Sequence, residues 1–328
     1  MNKNYLIIAV IIGIIIVVGI SLLPQTPNEK TQISVRFPIP IYEASETPFF
    51  VAQDLNYYTD EGLDVTFNFG SPEANPVSMV ALGSDELGIL GGPDTLINAI
   101  SKGNEFKALA VMHENANLAG IITLKESGLE RITDLEGKKI GFFYGHISTD
   151  ILRALFHKEN ITVHEVDVGF DYSQLISKKI DGQWAFISTA GYSLEQKGVE
   201  INFIPASDYG INSHGWTIFA KEEYIQKNPE VVEKFLRATF KGMEYTKKNP
   251  EKAIESLLSR DVKLDKPLEL KRLNLYNSAT STQPFGKMTQ EMFDETTQRL
   301  FEEGIISEFI PAEEIFDASF INKINERD

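Results

Sequence analysis

The 328-residue chain contains no cysteine. This absence excludes a disulfide, a thiolate metal site, a cysteine nucleophile and an acylated lipoprotein cysteine. Basic residues are also scarce, since 31 lysines and arginines stand against 47 acidic residues, and the net charge is −16. A general nucleic-acid binder needs a basic surface for phosphate contacts, so this charge argues against that class. Solubility is the simpler explanation of the acidic balance.

Common catalytic motifs are missing as well. The sequence contains neither the G-x-S-x-G pattern of serine hydrolases nor the H-E-x-x-H pattern of zinc proteases. Its five histidines, at positions 113, 146, 157, 164 and 214, include no pair spaced by four residues. The sequence therefore indicates no hydrolase, no metal site and no cofactor.

One long apolar run is present, at the N-terminus. Leu6 to Leu23 is interrupted only by glycines, one alanine and Ser21, with Lys3 before it and Pro24 after it. A run of this length can just span a bilayer, and Lys3 favours an N-terminus inside the cell. We predict that residues 1–31 are an uncleaved membrane anchor and linker, with the remaining chain outside the cytoplasmic membrane. A cleaved signal peptide is the alternative.

Beyond the linker, strand patterns alternate with helix patterns. Predicted strands lie at 33–37, 63–69, 86–90, 106–112, 138–143, 161–168 and 184–187. Predicted helices lie at 49–55, 76–82, 93–101, 148–158 and 173–179, and longer amphipathic helices follow from Glu222. This alternation predicts βαβ units and an α/β fold with mainly parallel sheets.

Four phrases together resemble a known family. They are TPFFVAQDLNYYTDEGLDV, GGPDTLINAISKG, ITDLEGKKIGFFYG and KGMEYTKKNPEKAIESLL. The chain resembles the extracytoplasmic solute-binding proteins of ABC importers, in the branch that binds thiamine-pyrimidine precursors and is related to sulfonate, nitrate and riboflavin binders. The resemblance covers roughly residues 33–310 and is most specific at Tyr57-Tyr58-x-x-Glu61-Gly62-Leu63-Asp64-Val65. Asn56 departs from the usual glycine, but asparagine tolerates the same positive φ.

The resemblance implies a two-lobed, type II periplasmic-binding-protein-like fold with a ligand cleft between the lobes. Lobe 1 would comprise residues 32–120 plus 217–328, and lobe 2 residues 121–216. Two crossovers would fall near 118–124 and 214–220. In open α/β sheets, ligands bind beyond the carboxyl ends of strands and near helix N-termini, so the turns at those ends hold the candidate site residues.

The first two candidate turns belong to lobe 1. The resemblance places ligand contacts at 42–47, where Tyr42 would stack on a planar ring and Thr47 would offer its amide or hydroxyl. Thr47 is alternatively only the N-cap of its helix. At 91–94, two glycines would let backbone amides approach a ligand, and the candidates are Gly92 and Asp94. Asp94 is alternatively an acidic residue favoured in a first helical turn.

The third candidate turn lies in lobe 2, where the strand ending at Phe143 runs into a helix through a short polar segment. Its candidates are Tyr144, His146, Ser148 and Thr149. Free amides at the helix start suit an anion or a ring carbonyl, and the two hydroxyls add further hydrogen-bonding groups. Ser148 is alternatively a plain N-cap, and His146 a solvated loop residue.

The last two candidate turns also lie in lobe 2. In pyrimidine binders, a segment comparable to 188–195 carries an aromatic residue and a glutamate three positions on, which Tyr192 and Glu195 match. Thr189 lies in the same segment, and Tyr209 and Asn212 lie in the loop before the second crossover. A carboxylate accepts hydrogen bonds from a ring N–H and an exocyclic amine together. An exposed helical glutamate and a plain surface turn are the alternatives.

These features favour a binding protein without cofactors, whose ABC permease and ATPase are separate chains. We expect a flat heterocycle, most specifically a thiamine pyrimidine precursor, because Tyr42, Tyr144, Tyr192 and Trp184 are aromatic and the candidate turns hold no arginine. Distant Arg36 or Arg153 would be needed for an anion. The alternatives are a riboflavin binder, a sulfonate or nitrate binder, a pyrimidine-synthase-like enzyme and an anchored sensor ectodomain.

Overall fold

The computed structural model describes residues 30–71, 73–114, 118–144, 146–169, 171–281 and 283–326. Residues 1–29 of the predicted anchor and linker (residues 1–31), Gly145 and the side chain of Tyr192 lie outside this description. In the described part of the chain, no helix is long and apolar enough to cross a membrane.

Ten strands are described. They are β1 Thr31–Arg36, β2 Leu63–Asn68, β3 Leu87–Leu90, β4 Phe106–Val111, β5 Ala119–Leu124, β6 Lys139–Phe142, β7 His164–Asp167, β8 Gly182–Phe186, β9 Ile201–Pro205 and β10 Thr217–Lys221. Most lie within two residues of a sequence prediction, because alternating or continuous apolar runs bounded by glycine and polar residues define them.

Fourteen α-helices are described. They are α1 Thr47–Asp54, α2 Tyr57–Asp60, α3 Pro76–Leu82, α4 Pro93–Ser101, α5 Ile147–Lys158, α6 Ser173–Ile176, α7 Ile187–Gln196, α8 Glu222–Lys227, α9 Pro229–Lys248, α10 Pro250–Leu258, α11 Lys266–Ser278, α12 Gln290–Glu302, α13 Ala312–Ile315 and α14 Ser319–Asn325. Several begin with proline in the first turn, where its missing N–H leaves no hydrogen bond unmade.

The strands form two five-stranded sheets with the same plan. The first has the order β2-β1-β3-β10-β4 and the second β7-β6-β8-β5-β9. In each sheet three neighbouring strands are parallel, and the fourth strand in the order runs antiparallel to both of its neighbours. The structure confirms the predicted α/β fold, although the sheets are mixed rather than wholly parallel.

The chain passes between the sheets twice. It leaves the first sheet after β4, enters the second at β5, and returns from β9 to the first sheet at β10. The predicted crossover segments, 118–124 and 214–220, therefore contain strands that belong to the sheets. Each sheet is covered by helices, with one large apolar core around the first sheet and two smaller cores on the second.

Two predictions about helix starts are wrong. Thr47 is not an N-cap: residues 44–46 form a 3-10 turn, Glu46 holds the cap position, and Thr47 is the first helical residue of α1. Ser148 is not a cap either, because α5 begins at Ile147 and the side chain of His146 accepts the Ser148 amide at 3.2 Å. Asn56 does adopt the left-handed conformation expected of it, with φ 62°.

Candidate functional site

The turns at the carboxyl ends of the strands of both sheets converge between the lobes. Ile147 and Ile187, the first residues of α5 and α7 in the second lobe, pack against the core of the first lobe. At Gly92, a Cβ atom would lie 2.7 Å from the carbonyl oxygen of His214, so only glycine permits this approach of two backbones. The inter-lobe region is therefore closed and tightly packed at this point.

A buried polar group of five residues lies at this junction, and we call it the acidic cluster. It comprises Glu43, Glu46, Glu269, Arg272 and Tyr276. The two N-terminal glutamates bracket the turn after β1, and the other three residues lie on α11. The Glu46 carboxylate accepts the Glu43 amide and so holds the turn in place. The Tyr276 hydroxyl donates to Glu43 Oε1 at 3.2 Å, and Arg272 donates to Glu269 Oε1.

The three carboxylates of the acidic cluster are buried and incompletely hydrogen-bonded. Glu43, Glu46 and Glu269 are exposed by 3%, 0% and 1%. One oxygen of each, Oε2, Oε1 and Oε2 respectively, has no hydrogen-bond partner. A buried acceptor without a partner is destabilising by about 1–3 kcal/mol. The cluster therefore holds acceptors that a donor from outside the chain can satisfy.

Burial also disfavours the charged form of these carboxylates. It raises the pKa of Glu43, against the lowering effects of Ser45, Arg272 and Tyr276. Burial and the nearby Glu43 and Glu269 raise the pKa of Glu46 well above its usual range. Burial raises the pKa of Glu269 to about 7, although Arg272 and the Ala44 amide act in the opposite direction.

Arg272 and Tyr276 connect the acidic cluster to the second lobe. The guanidinium donates to the carbonyl oxygens of Ser188 at 3.1 Å and Thr189 at 3.2 Å, and to Ser193 Oγ at 2.7 Å. The Tyr276 hydroxyl lies 3.1 Å from Ser188 Oγ. These contacts join α11 to the first turns of α7, so residues of both lobes share one polar site.

His113 lies beside the same cluster. Its ring stacks on Tyr276 with the centroids 5.1 Å apart, and Nδ1 lies 2.9 Å from Thr280 Oγ1. Nε2 is buried without a partner. Burial lowers the pKa of His113 to about 4, so the ring is neutral at physiological pH. It therefore adds one more unsatisfied polar atom beside the cluster without adding charge.

Two open cavities lie elsewhere between the lobes. The larger, about 940 Å³, lies between α5, the 210–214 segment and α12. The smaller, about 380 Å³, lies between the start of α5 and the end of α4. Arg153 lines both cavities, so they adjoin along α5.

The structure places the lobe 1 candidates as follows. Tyr42 is partly buried and packs edge-on against Phe69, with the centroids 4.6 Å apart. Thr47 is fully buried, and its hydroxyl has no partner. Gly92 closely approaches His214, whereas the Asp94 carboxylate accepts from Arg299 within lobe 1. Thr47 thus joins the set of buried polar atoms without partners, while Asp94 already has one.

Candidates from the third turn line the smaller cavity. Tyr144, His146 and Thr149 all face it. Tyr144 is 52% exposed, and its hydroxyl donates to Glu165 at 3.2 Å. His146 Nδ1 lies 2.9 Å from the buried Ser148 hydroxyl, and the Thr149 hydroxyl donates to the Phe143 carbonyl. In this conformation, the hydroxyls of Ser148 and Thr149 form hydrogen bonds with residues just before α5 and stabilise the start of that helix.

Candidates from the last two turns are more scattered. Thr189 lies at the junction, where its carbonyl accepts from Arg272. Glu195 lies on the surface, where 64% of its side chain is exposed and it pairs with Lys271 at 3.4 Å. In this conformation it is therefore an exposed helical glutamate, the alternative given in the sequence analysis. The Tyr209 hydroxyl accepts the Ile132 amide, and Asn212 lines the larger cavity.

Three further expectations need correction. Trp184 is buried in the core of the second lobe and does not line the cleft. Arg36 pairs with Asp85 and lines neither cavity. Arg153 pairs with Glu165 but does reach the third candidate turn, where it lines the smaller cavity together with Tyr144, His146 and Thr149. The arginine at the junction is Arg272, which the sequence analysis missed.

The residues that the sequence analysis missed differ in whether the sequence contained a signal for them. Glu43 and Glu46 lie inside a turn that the sequence singled out, but only its tyrosine and threonine were chosen. Arg272 and Tyr276 belong to α11, whose sequence carries no motif and lies far along the chain. Their role depends on the docking of α11 against that turn, which sequence periodicity does not report.

With this geometry established, comparison with known proteins is informative. The family model described as NMT1/THI5 like matches residues 43–253, nearly two thirds of the chain. The chain belongs to the NMT1/THI5-like family. The matched region begins at Glu43 and includes the turns of both lobes, but it ends before α11.

Individual relatives of this NMT1/THI5-like protein include both binding proteins and enzymes. The formylaminopyrimidine-binding protein of Halalkalibacterium halodurans is 25% identical over 287 residues, covering 84% of this chain and 86% of the relative. A 4-amino-5-hydroxymethyl-2-methylpyrimidine phosphate synthase of Legionella pneumophila is 28% identical over 230 residues, covering 68% and 72%.

The fold has clear counterparts among solved structures. The periplasmic aliphatic sulphonate binding protein of Escherichia coli superposes with a TM-score of 0.70 at 14% identity, covering 90% of this chain and all of that one. This likeness confirms the predicted periplasmic-binding-protein fold.

Proposed function

We propose that this NMT1/THI5-like protein is the extracytoplasmic substrate-binding component of an ABC importer and that it captures a thiamine pyrimidine precursor. The observation that carries the proposal is the junction of the lobes, where Glu43, Arg272 and Tyr276 meet Ser188 and Thr189. Buried polar atoms contributed by two lobes are what a cleft that closes on a small polar molecule requires. The relative named for formylaminopyrimidine binding supports this ligand class.

Capture follows from the two-lobed architecture. In the part of the chain that the structure describes, the sheets are connected by two segments, one after β4 and one before β10, so the lobes can separate by bending at a few residues. Separation opens the junction around Arg272. Closure around a ligand then removes it from water and completes its hydrogen bonds from both sides.

The proposed location follows from the N-terminal sequence. Residues 1–31 would anchor the protein in the cytoplasmic membrane and leave the two lobes outside. Capture at the membrane surface would deliver the ligand to a permease driven by an ATPase on separate chains.

Thermal unfolding of the full chain, purified in detergent, tests the proposal. The panel contains formylaminopyrimidine, hydroxymethylpyrimidine, thiamine, riboflavin, taurine and nitrate. A ligand at about 100 times its dissociation constant adds roughly 2.7 kcal/mol to the free energy of unfolding. At about 2–4 °C per kcal/mol, we expect a rise of several degrees with the pyrimidines only. A rise with riboflavin, taurine or nitrate alone would contradict the pyrimidine assignment.

Catalysis is the second candidate function, because some relatives are named pyrimidine phosphate synthases. The absence of cysteine from this chain excludes any mechanism that uses a thiolate. The binder hypothesis predicts that each pyrimidine is recovered chemically unchanged after long incubation with the protein. Mass spectrometry of the recovered ligand checks this, and turnover would favour the enzyme.

A further inference from the structure

The acidic cluster holds three buried carboxyl groups and one buried cation. Glu43, Glu46 and Glu269 face one another closely enough to raise the pKa of Glu46. Arg272 is the cation that acts on Glu43 and Glu269. Two other residues with unpartnered, buried polar atoms, Thr47 and His113, adjoin this group or lie in the same turn.

The arrangement does not suit a metal ion. Within the described ranges, no group of three or more histidine, aspartate or glutamate side chains is placed to hold one. The carboxylates instead each present one free oxygen while the other oxygen of Glu43 and Glu269 is held by Tyr276 or Arg272. Free acceptors fixed in this way match N–H donors, not a spherical cation.

We propose that the acidic cluster is the recognition site for the donor edge of the ligand and selects planar heterocycles with adjacent N–H groups, such as aminopyrimidines, over anions. This inference rests on the proposed function and extends it to named residues. The free oxygens of Glu43, Glu46 and Glu269 accept the exocyclic amine and a ring N–H when the lobes close.

The chemistry of an aminopyrimidine fits this charge pattern. Its amine and adjacent ring nitrogen form a flat edge that, when protonated, presents two parallel N–H groups to a carboxylate, as a guanidinium does. Arg272 occupies only one oxygen of Glu269, through a single N–H group, and leaves the other oxygen without a partner. A ligand edge of the same shape adds donors for the carboxylate oxygens that Arg272 leaves unpaired.

The same pattern disfavours the anionic ligands bound by structurally similar proteins. A sulfonate or nitrate placed here would face three carboxyl groups, and Arg272 is the cation that acts on Glu43 and Glu269. Each carboxyl group that ionises would repel the anion strongly in this buried site. The cluster therefore disfavours anions while it accepts donors.

Calorimetric titration of the full chain with formylaminopyrimidine tests the inference. Glu43→Gln and Glu46→Gln keep the shape of each side chain but remove its charge and replace one acceptor by a donor. We expect each to weaken binding roughly tenfold to a hundredfold, the usual effect of stranding buried polar partners. Glu223→Gln, on an exposed pair with Lys227, is the matched control and should change affinity less than about twofold.

Two further measurements make the outcome decisive. Thermal unfolding without ligand checks folding, and Glu46→Gln should fold because it replaces a buried carboxyl group, whose charged form is disfavoured, by a neutral side chain of the same shape. Wild-type binding with unchanged affinity in both cluster variants would overturn this inference and leave the proposed function standing. No binding by the wild type would overturn both, and a gain of taurine binding in the variants would support the exclusion of anions.

Discussion

At the scale of single residues, the acidic cluster combines polar groups whose burial is energetically unfavourable. Three buried glutamates share a small volume, and burial raises the pKa of each. Residues selected for stability alone would be apolar at such positions. Binding sites commonly keep perturbed groups of this kind because a ligand restores their missing interactions.

The raised pKa of Glu269 predicts that the stability of the protein depends on pH. The pKa of Glu269 is about 7 in the folded protein against an ordinary 4.5, so the folded state binds more protons between these values. Its contribution to the free energy of unfolding is therefore present at low pH and is lost as pH rises toward about 7. Glu269→Gln should gain stability relative to wild type between about pH 5 and pH 8, as measured by urea unfolding without ligand.

The test compares Glu269→Gln with the wild type because His113 changes the free energy of unfolding with pH in the opposite direction and is present in both proteins. Its pKa is about 4 in the folded protein against 6.5, so its contribution rises with pH across that window. The charged and titratable groups facing Glu269 are Glu43, Glu46 and Arg272, and Tyr172 lies near Glu43 and Arg272 from the second lobe. A difference between the two proteins that does not change with pH would contradict the raised pKa of Glu269.

At the scale of elements, the most specific phrase of the family resemblance has a structural role. Tyr58 stacks on Phe235 with the centroids 5.4 Å apart, and its hydroxyl lies 2.9 Å from Thr239. Glu61 accepts two hydrogen bonds of 2.8 Å from Arg237. The phrase thus docks α2 against α9, and it identifies the fold without reporting the ligand.

Arg237→Met tests this docking. The change leaves Glu61 and Glu233 without their guanidinium partner, although Lys241 and Lys323 remain near them. We expect the free energy of unfolding in urea to fall by about 1–3 kcal/mol, with unchanged ligand affinity. Lys248→Met, which removes an exposed pair with Glu244 on the same helix, should change stability by less than about 1 kcal/mol. Equal effects of the two substitutions would show that the α2–α9 pair is unimportant.

At the scale of the whole molecule, Arg272 links the two lobes. It lies on α11 and donates to three oxygen atoms of α7 in the second lobe. Several charge-assisted hydrogen bonds of this kind shift the balance between open and closed forms. We therefore expect these hydrogen bonds to favour the closed form.

Energy transfer between two dyes measures this balance. The chain has no cysteine, so Val262→Cys and Glu126→Cys, at exposed positions on the two lobes, provide unique attachment sites. Adding Arg272→Met should lower the transfer efficiency without ligand, because losing hydrogen bonds to a charged group at about 1.5–3 kcal/mol each favours the open form at least tenfold. Arg131→Met, which removes an exposed arginine, serves as control. Equal efficiencies in the two variants would show that Arg272 does not hold the lobes closed.

The sequence predicted the elements better than the site. Strands such as β1 and β2 carry their apolar pattern locally, and prolines mark the starts of α3 and α4. The turns that follow the strands were also located, because a strand followed by a helix must have a polar turn between them. The chosen side chains were less successful: Glu195 proved to be exposed, and Glu43 was overlooked.

The reason for this difference is the separation of the cooperating residues along the chain. Glu43 and Tyr276 touch across 233 residues, so no local pattern links them. His146 gave no cap signal, because histidine is not among the residues that commonly begin helices. Contacts of this range follow from the docking of α11, which depends on the whole fold.

The placement of β10 has a consequence for the order in which the chain can fold during synthesis. β10 lies between β3 and β4, so the first sheet has an open gap until residue 221 has been made. The second sheet consists only of β5 to β9, a continuous stretch that is complete at residue 205. During synthesis, the second lobe can therefore complete its sheet before the first lobe does. β3 and β4 each keep one edge unpaired until β10, more than a hundred residues after β4, has been made.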